Sequence, residues 1–195
     1  EIGSGLVGSE MCIRDRKEQG KLKDNTIVAT VMSNLGFFLM GKEQGIHIEQ
    51  TKVGDRYVLE RMLEIGANLG GEQSGHIIFL DENTTGDGLL SALHLLQVMV
   101  DTGKPLSELS KIMTVLPQAL VGAKVPNHKK DSYMEYAEIA EAIARVSAKF
   151  EGEGRVLIRP SGTEPLVRVM IEGKDQEMIE KEAKSLAELI QNVML

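Results

Sequence analysis

The run Thr26-Ile27-Val28-Ala29-Thr30-Val31 constrains the fold more than any other stretch. β-branched residues dominate it and it is too short for an ordinary helix, so it reads as a buried strand. Helically spaced segments and short apolar runs then alternate. Ser33 is the expected cap of a helix to about Gln44, stopped by Gly45, and Ile46 to Thr51 is a second strand. Tyr57, Leu59, Met62, Leu63 and Ile65 mark a helix over 56–65 that ends at Gly66 and returns the chain for another strand. His76 to Leu80 is a short apolar strand. Thr84-Thr85-Gly86-Asp87-Gly88 then turns into an apolar helix from Leu89 to Val100, expected to be buried. Strands and helices alternating in this way predict an α/β unit.

Asp101 to Pro105 ends that helix, Ser107 is the expected cap of a short helix to Met113, and Pro117 marks a change of composition. A second unit follows. It has a strand around 118–125, a helix over 132–149, strands at Arg155 to Arg159 and Val167 to Glu172, and a last helix from Gln176 to Val193. The order β-α-β-β-α predicts a smaller α+β domain. The expected division is therefore 17–113 and 114–195, with residues 1–16 set apart. The apolar residues of that first segment are broken by Gly, Ser and Glu, and it lacks the charged start and continuous apolar core of a signal peptide.

Composition narrows the function classes. With 22 basic against 29 acidic residues and 4% aromatic residues, the chain offers no polyanion-binding surface, so nucleic acid is not an expected partner. A lone cysteine, Cys12, excludes an internal disulfide. No apolar run approaches the roughly 20 residues that span a bilayer. The expectation is a cytoplasmic protein without membrane contact.

Three loops carry candidate chemistry. Arg159-Pro160-Ser161-Gly162-Thr163-Glu164-Pro165-Leu166-Val167-Arg168 joins two expected strands and combines two guanidinium groups, two hydroxyls and a glycine. Arginine grips phosphate oxygens through paired hydrogen bonds, and Ser161, Thr163 and the backbone N–H groups near Gly162 add donors. Read alone, a polar hairpin with arginines facing solvent fits equally well. In Gly71-Glu72-Gln73-Ser74-Gly75-His76 a carboxylate, a hydroxyl and an imidazole lie between glycines, and strand alternation would aim Glu72, Ser74 and His76 the same way. Such a trio suits sugar hydroxyls, although a strand-start histidine satisfied by backbone is the plainer reading. Thr51 to Val58, with Asp55 and Arg56, leads into a helix whose first N–H groups favour anions; Asp55 as a simple cap with a solvated Arg56 fits as well. Asp81, Glu82, Asp87 and the acidic residues between Glu177 and Glu188 read as solvated carboxylates, and no metal is assigned to them.

Taken together, Gly-Asp-Arg-Tyr, Gly-Gly-Glu-Gln-Ser-Gly-His, Thr-Thr-Gly-Asp-Gly and the Arg159 to Arg168 string resemble the α-D-phosphohexomutases, in particular the phosphoglucosamine branch. The resemblance covers about Lys17 to Leu195. It implies the third α/β/α domain of that family followed by its C-terminal domain. It further implies that Asp55, Arg56, Glu72, Ser74 and His76 contact the sugar, and that Arg159, Ser161, Gly162, Thr163 and Arg168 hold a phosphate. Asp55 or Glu72 would recognise the ammonium group of the substrate.

The implied reaction interconverts glucosamine 6-phosphate and glucosamine 1-phosphate, through a phosphoserine and a bisphosphate intermediate, for amino-sugar nucleotide and cell-wall precursor synthesis. Mg2+ is the implied cofactor. The family's phosphoserine and its Asp-Gly-Asp-x-Asp-Arg metal loop have no counterpart in this sequence. The expectation is thus a fragment that is inactive alone and whose partners are a hexosamine phosphate and the N-terminal domains. The join near Lys17 is abrupt, which points to a truncated or chimeric reading frame. A phosphomannomutase or phosphoglucomutase of the same family, or a non-catalytic sugar-phosphate-binding module, are the alternatives.

Overall fold

The computed structural model describes residues 9–195, and the chain divides into two compact units, one ending at Val115 and the other starting at Leu116. The sequence places that division after Met113, two residues earlier.

The first unit contains α1 (Ser9–Glu18), β1 (Thr26–Thr30), α2 (Leu35–Glu43), β2 (His47–Thr51), α3 (Asp55–Ile65), β3 (Leu69–Gly71), β4 (Ile77–Phe79), α4 (Gly88–Thr102) and the short α5 (Leu106–Leu109). Its sheet runs β2-β1-β3-β4; β1 is parallel to both neighbours, and β4 is antiparallel to β3. The two-residue period of a strand splits β1 between two cores. Ile27 and Ala29 join Leu69 and Phe79 under residues of α1, α2 and α4, while Val28 joins Ile78 beneath Val58 and Met62 of α3. Helices therefore cover both faces, and the unit is an α/β/α layer structure.

Several local expectations are corrected. Asn34, not Ser33, caps α2: its side-chain oxygen accepts the Gly36 N–H at 3.0 Å, while Ser33 is wholly buried one residue upstream. The strand that the crossover reaches is Leu69–Gly71, hidden in the sequence by its two glycines. They are needed for close approach, because a Cβ at Gly70 would lie 2.6 Å from Met62 Sδ and 2.9 Å from the Val28 carbonyl oxygen. The helix expected to be buried, α4, is not: Leu89, Leu93, Leu96 and Val100 are 74, 55, 55 and 76% exposed. A helix that is apolar all round does not show in its sequence which side lacks a neighbour. Ser107 caps nothing; the residue before α5 is Pro105, and the helix gives way after Leu109 to a tighter turn over Ser110–Ile112.

Of the segment set apart in the sequence, residues 1–8 lie outside the described residues. Residues 9–16 belong to α1, with Met11, Cys12 and Ile13 in the first core.

The second unit contains β5 (Gln118–Lys124), a 3-10 turn (Lys130–Glu135), α6 (Ala137–Lys149), β6 (Arg155–Pro160), β7 (Leu166–Glu172) and α7 (Gln176–Met194). All pairings are antiparallel in the order β5-β7-β6, so β7 is central and β6 is an edge. Val167, Val169 and Ile171 of β7 meet Ile139, Val146, Ile179, Leu186 and Ile190 from the two long helices. Burying each such side chain contributes roughly 1.5–3 kcal/mol. Asp175 caps α7 by accepting the Met178 N–H at 3.0 Å. The helix expected from Ser132 starts only at Ala137, because 130–135 winds more tightly.

Candidate functional site

In the first unit the Gly71 to His76 stretch is the tip of the β3–β4 hairpin. The Glu72 N–H donates to the His76 carbonyl at 3.0 Å and the Gly75 N–H to the Glu72 carbonyl at 3.1 Å. Gly75 takes φ 94°, which a side chain would resist, so glycine shapes the turn. The turn, rather than strand alternation, brings the trio together. The Ser74 hydroxyl donates to Glu72 Oε1 at 2.5 Å and lies 2.8 Å from His76 Nδ1, which is itself 3.6 Å from Glu72 Oε1. With the Ser74 proton committed to Glu72, the ring offers Nδ1–H to Ser74, which leaves Nε2 as an acceptor in the neutral ring and a donor in the charged one. Ser74 and His76 are exposed, whereas Glu72 is 8% exposed.

Glu72 also ties this hairpin to the loop after β2. Its Oε2 accepts the Gly54 N–H at 3.1 Å, and Gly54, with φ 130° and ψ 129°, immediately precedes α3. Asp55 stands next to that contact but is exposed, and its Oδ1 accepts the neighbouring Arg56 N–H at 2.8 Å. Arg56 turns down the helix to Glu60, at 2.8 Å, and is not joined to the trio. From the other side Gly86 packs on His76; a Cβ there would lie 3.1 Å from the His76 Cβ. Asp87 is occupied as the cap of α4, accepting the N–H groups of Leu89 and Leu90.

In the second unit the register puts Arg159 directly opposite Arg168 across β6 and β7. Like charges so placed repel. Arg168 is answered by Glu164, 2.5 Å away. Arg159 has no carboxylate partner among the described residues, and its buried Nε meets no acceptor. Burial, reinforced by Arg168, holds the Arg159 guanidinium below its ordinary pKa. The hairpin closes on Ser161, which is 3% exposed: its N–H donates to the Leu166 carbonyl at 2.9 Å, and its Oγ accepts the Glu164 N–H at 3.3 Å. Gly162 and Thr163 are exposed, and a Cβ at Gly162 would meet nothing within 4 Å. The arrangement is short of negative charge and has open space beside it.

Two residues beside this hairpin escape a reading of the sequence. Lys130 Nζ donates to the Ser161 carbonyl at 2.7 Å, and the Tyr133 hydroxyl donates to the Ile158 carbonyl at 3.1 Å. Both come from the turn before α6, 31 and 25 residues away in the chain, and no local pattern marks them. Among the described residues no group of three or more His, Cys, Asp or Glu is placed to hold a metal ion, and no helix is long and apolar enough to cross a membrane.

The chain matches two family descriptions. One is "Phosphoglucomutase/phosphomannomutase, alpha/beta/alpha domain III", over residues 10–116, and the other is the C-terminal domain of the same family, over residues 120–189. It is 62% identical to the phosphoglucosamine mutase of Caldicellulosiruptor saccharolyticus over 98% of its own length and 43% of that protein. To that of Ruminiclostridium cellulolyticum it is 61% identical over 90% of its length and 39% of that protein. The chain thus spans less than half the length of these relatives. Among solved structures it superposes on Aspergillus fumigatus N-acetylphosphoglucosamine mutase in complex with GlcNAc-6P and magnesium, with TM-score 0.76, 18% identity and coverage of 97% of this chain and 44% of the other. An N-acetylglucosamine-phosphate mutase in a substrate complex gives TM-score 0.74, 21% identity and coverage of 95% and 44%. At these identities the superpositions speak for the fold.

Proposed function

Because the chain belongs to the phosphoglucomutase/phosphomannomutase family and carries its domain III and its C-terminal domain, we propose that it supplies the sugar-binding and phosphate-binding parts of a cytoplasmic phosphoglucosamine mutase. The observation that carries the reading is Arg159, half-buried, opposed to Arg168 and without a carboxylate of its own. A phosphate placed there relieves the repulsion and gives Arg159 the anionic partner it lacks. In the first unit the Glu72, Ser74 and His76 cluster presents acceptors and donors to sugar hydroxyls, and Glu72 or Asp55 receives the ammonium group.

The names of the close relatives favour glucosamine phosphate over the mannose and glucose phosphates. In this reading the complete enzyme interconverts the 6- and 1-phosphates of glucosamine through a phosphoserine and a bisphosphate, on the route to cell-wall precursors. Binding at groups remote from the reacting phosphate orients the sugar for transfer. Among the described residues no group of three or more His, Cys, Asp or Glu is placed to hold a metal ion, and in this reading the magnesium ion of the complete enzyme is held by its other domains.

Calorimetric titration with glucosamine 6-phosphate, glucose 6-phosphate and mannose 6-phosphate tests the assignment. Tighter binding of the amino sugar, reduced by Glu72→Gln or Asp55→Asn, supports it; equal binding of all three refutes the glucosamine assignment. The chain alone should not interconvert the two phosphates, and measurable turnover would refute that part.

A further inference from the structure

Strand β6 is a sheet edge, so alternate carbonyl groups along it and its hairpin have no strand partner. The turn over 130–135 supplies two partners, Tyr133 to Ile158 and Lys130 to Ser161. The second contact has a consequence beyond bracing. In a trans peptide the C=O and N–H point in opposite directions, so an ammonium group fixed on the Ser161 carbonyl fixes the Gly162 N–H toward the other side. The bond also polarises that peptide and makes its N–H a stronger donor. Neither Gly162 nor Thr163 donates its N–H to any acceptor among the described residues, and both are exposed. Successive free N–H groups of this kind form an anion-binding concavity.

We infer that Lys130 is a positioning residue of the phosphate site: by clamping the Ser161 carbonyl it aims the Gly162 N–H at the bound phosphate and adds a positive charge to the hairpin. This rests on reading the β6–β7 hairpin as a phosphate site. Lys130 has no carboxylate within ion-pair distance among the described residues, so its charge is not already neutralised.

The test is titration of the 15N-labelled chain with inorganic phosphate, followed by amide chemical shifts and repeated at several salt concentrations. Lys130→Met should weaken binding about tenfold, as expected for loss of a charge-assisted contact. It should also abolish the downfield shift of the Gly162 amide and flatten the salt dependence. Lys130→Arg, which keeps charge and donor, should retain both. Tyr133→Phe, which removes only the brace on β6, should bind as the unmodified chain does. The inference is overturned if Lys130→Met still shifts Gly162 and binds within twofold while Arg159→Gln does not bind. If phosphate shifts other amides of the β6–β7 hairpin but not Gly162, the inference alone is overturned; if it shifts no amide of the hairpin, the reading of the hairpin fails and the inference falls with it. Retained dispersion of the β7 amides reports that each variant is folded.

Discussion

Arg159→Met separates what the phosphate hairpin does for binding from what it does for stability. In the phosphate-free chain Arg159 faces Arg168 across the sheet, and its Nε is buried without an acceptor. Cross-strand like charges cost roughly 0.2–1 kcal/mol, and methionine keeps most of the apolar stem. Arg159→Met should therefore stabilise the second unit by about 0.5 kcal/mol. The guanidinium is lowered from its ordinary pKa, which places the charged form at a disadvantage in the folded state below that pKa. Arginine stays charged throughout the working range, so the gain should not change between pH 5 and 9. Phosphate reverses the order. At ten times its dissociation constant it stabilises the unmodified chain by about 1.4 kcal/mol and leaves Arg159→Met unaffected. The variant then falls behind by about 0.9 kcal/mol, the difference between these two estimates. The assay is urea unfolding read by hydrogen exchange on β7 peptides, which reports the second unit alone. A variant less stable than the unmodified chain without phosphate, or one that still gains from phosphate, would refute the reasoning.

Other expectations follow from single positions. Gly162→Ala should leave thermal stability within about 0.5 kcal/mol, since its Cβ meets nothing, yet weaken phosphate binding. Gly70→Ala should cost roughly 1–3 kcal/mol by thermal melting, because its Cβ would press on Met62 and on the Val28 carbonyl. Leu93→Gln on the exposed side of α4 should cost less than about 1 kcal/mol, against about 2 for Val98→Ala, which is 2% exposed; similar losses in urea titration would contradict the burial. Burial pushes the Cys12 thiol up to about 12. Its neutral form is favoured in the folded state, so the stability it contributes is complete below the unfolded pKa near 9 and is lost as pH rises toward 12. Alkylation with iodoacetamide at pH 8 should wait for unfolding, and rapid labelling of the native chain would be the contrary result.

Much of this molecule is written locally. The β-branched run at 26–31 could bury itself only as a strand, the glycines at 45 and 66 stop helices at positive φ, and the Arg159 to Arg168 string gathers two guanidinium groups, two hydroxyls and a glycine in one loop. The β-α-β-β-α order of the second unit follows from period and length alone. What the sequence left open depends on neighbours. Strand β3 has two glycines and no strand-like residue run, and exists because β1 and α3 shape a slot that only glycine fits. The trio at Glu72, Ser74 and His76 meets through a turn and through Gly54, eighteen residues away. Arg56 carries the right charge and points to Glu60 instead. Lys130 sits in an unremarkable basic dipeptide and reaches the hairpin only because the edge of β6 needs a donor there. The sequence by itself determined which groups could bind a sugar phosphate and on which elements they stand. The tertiary structure decided which of them meet, because hydrogen bonds and packing contacts act over a few ångströms in space, whatever the separation along the chain.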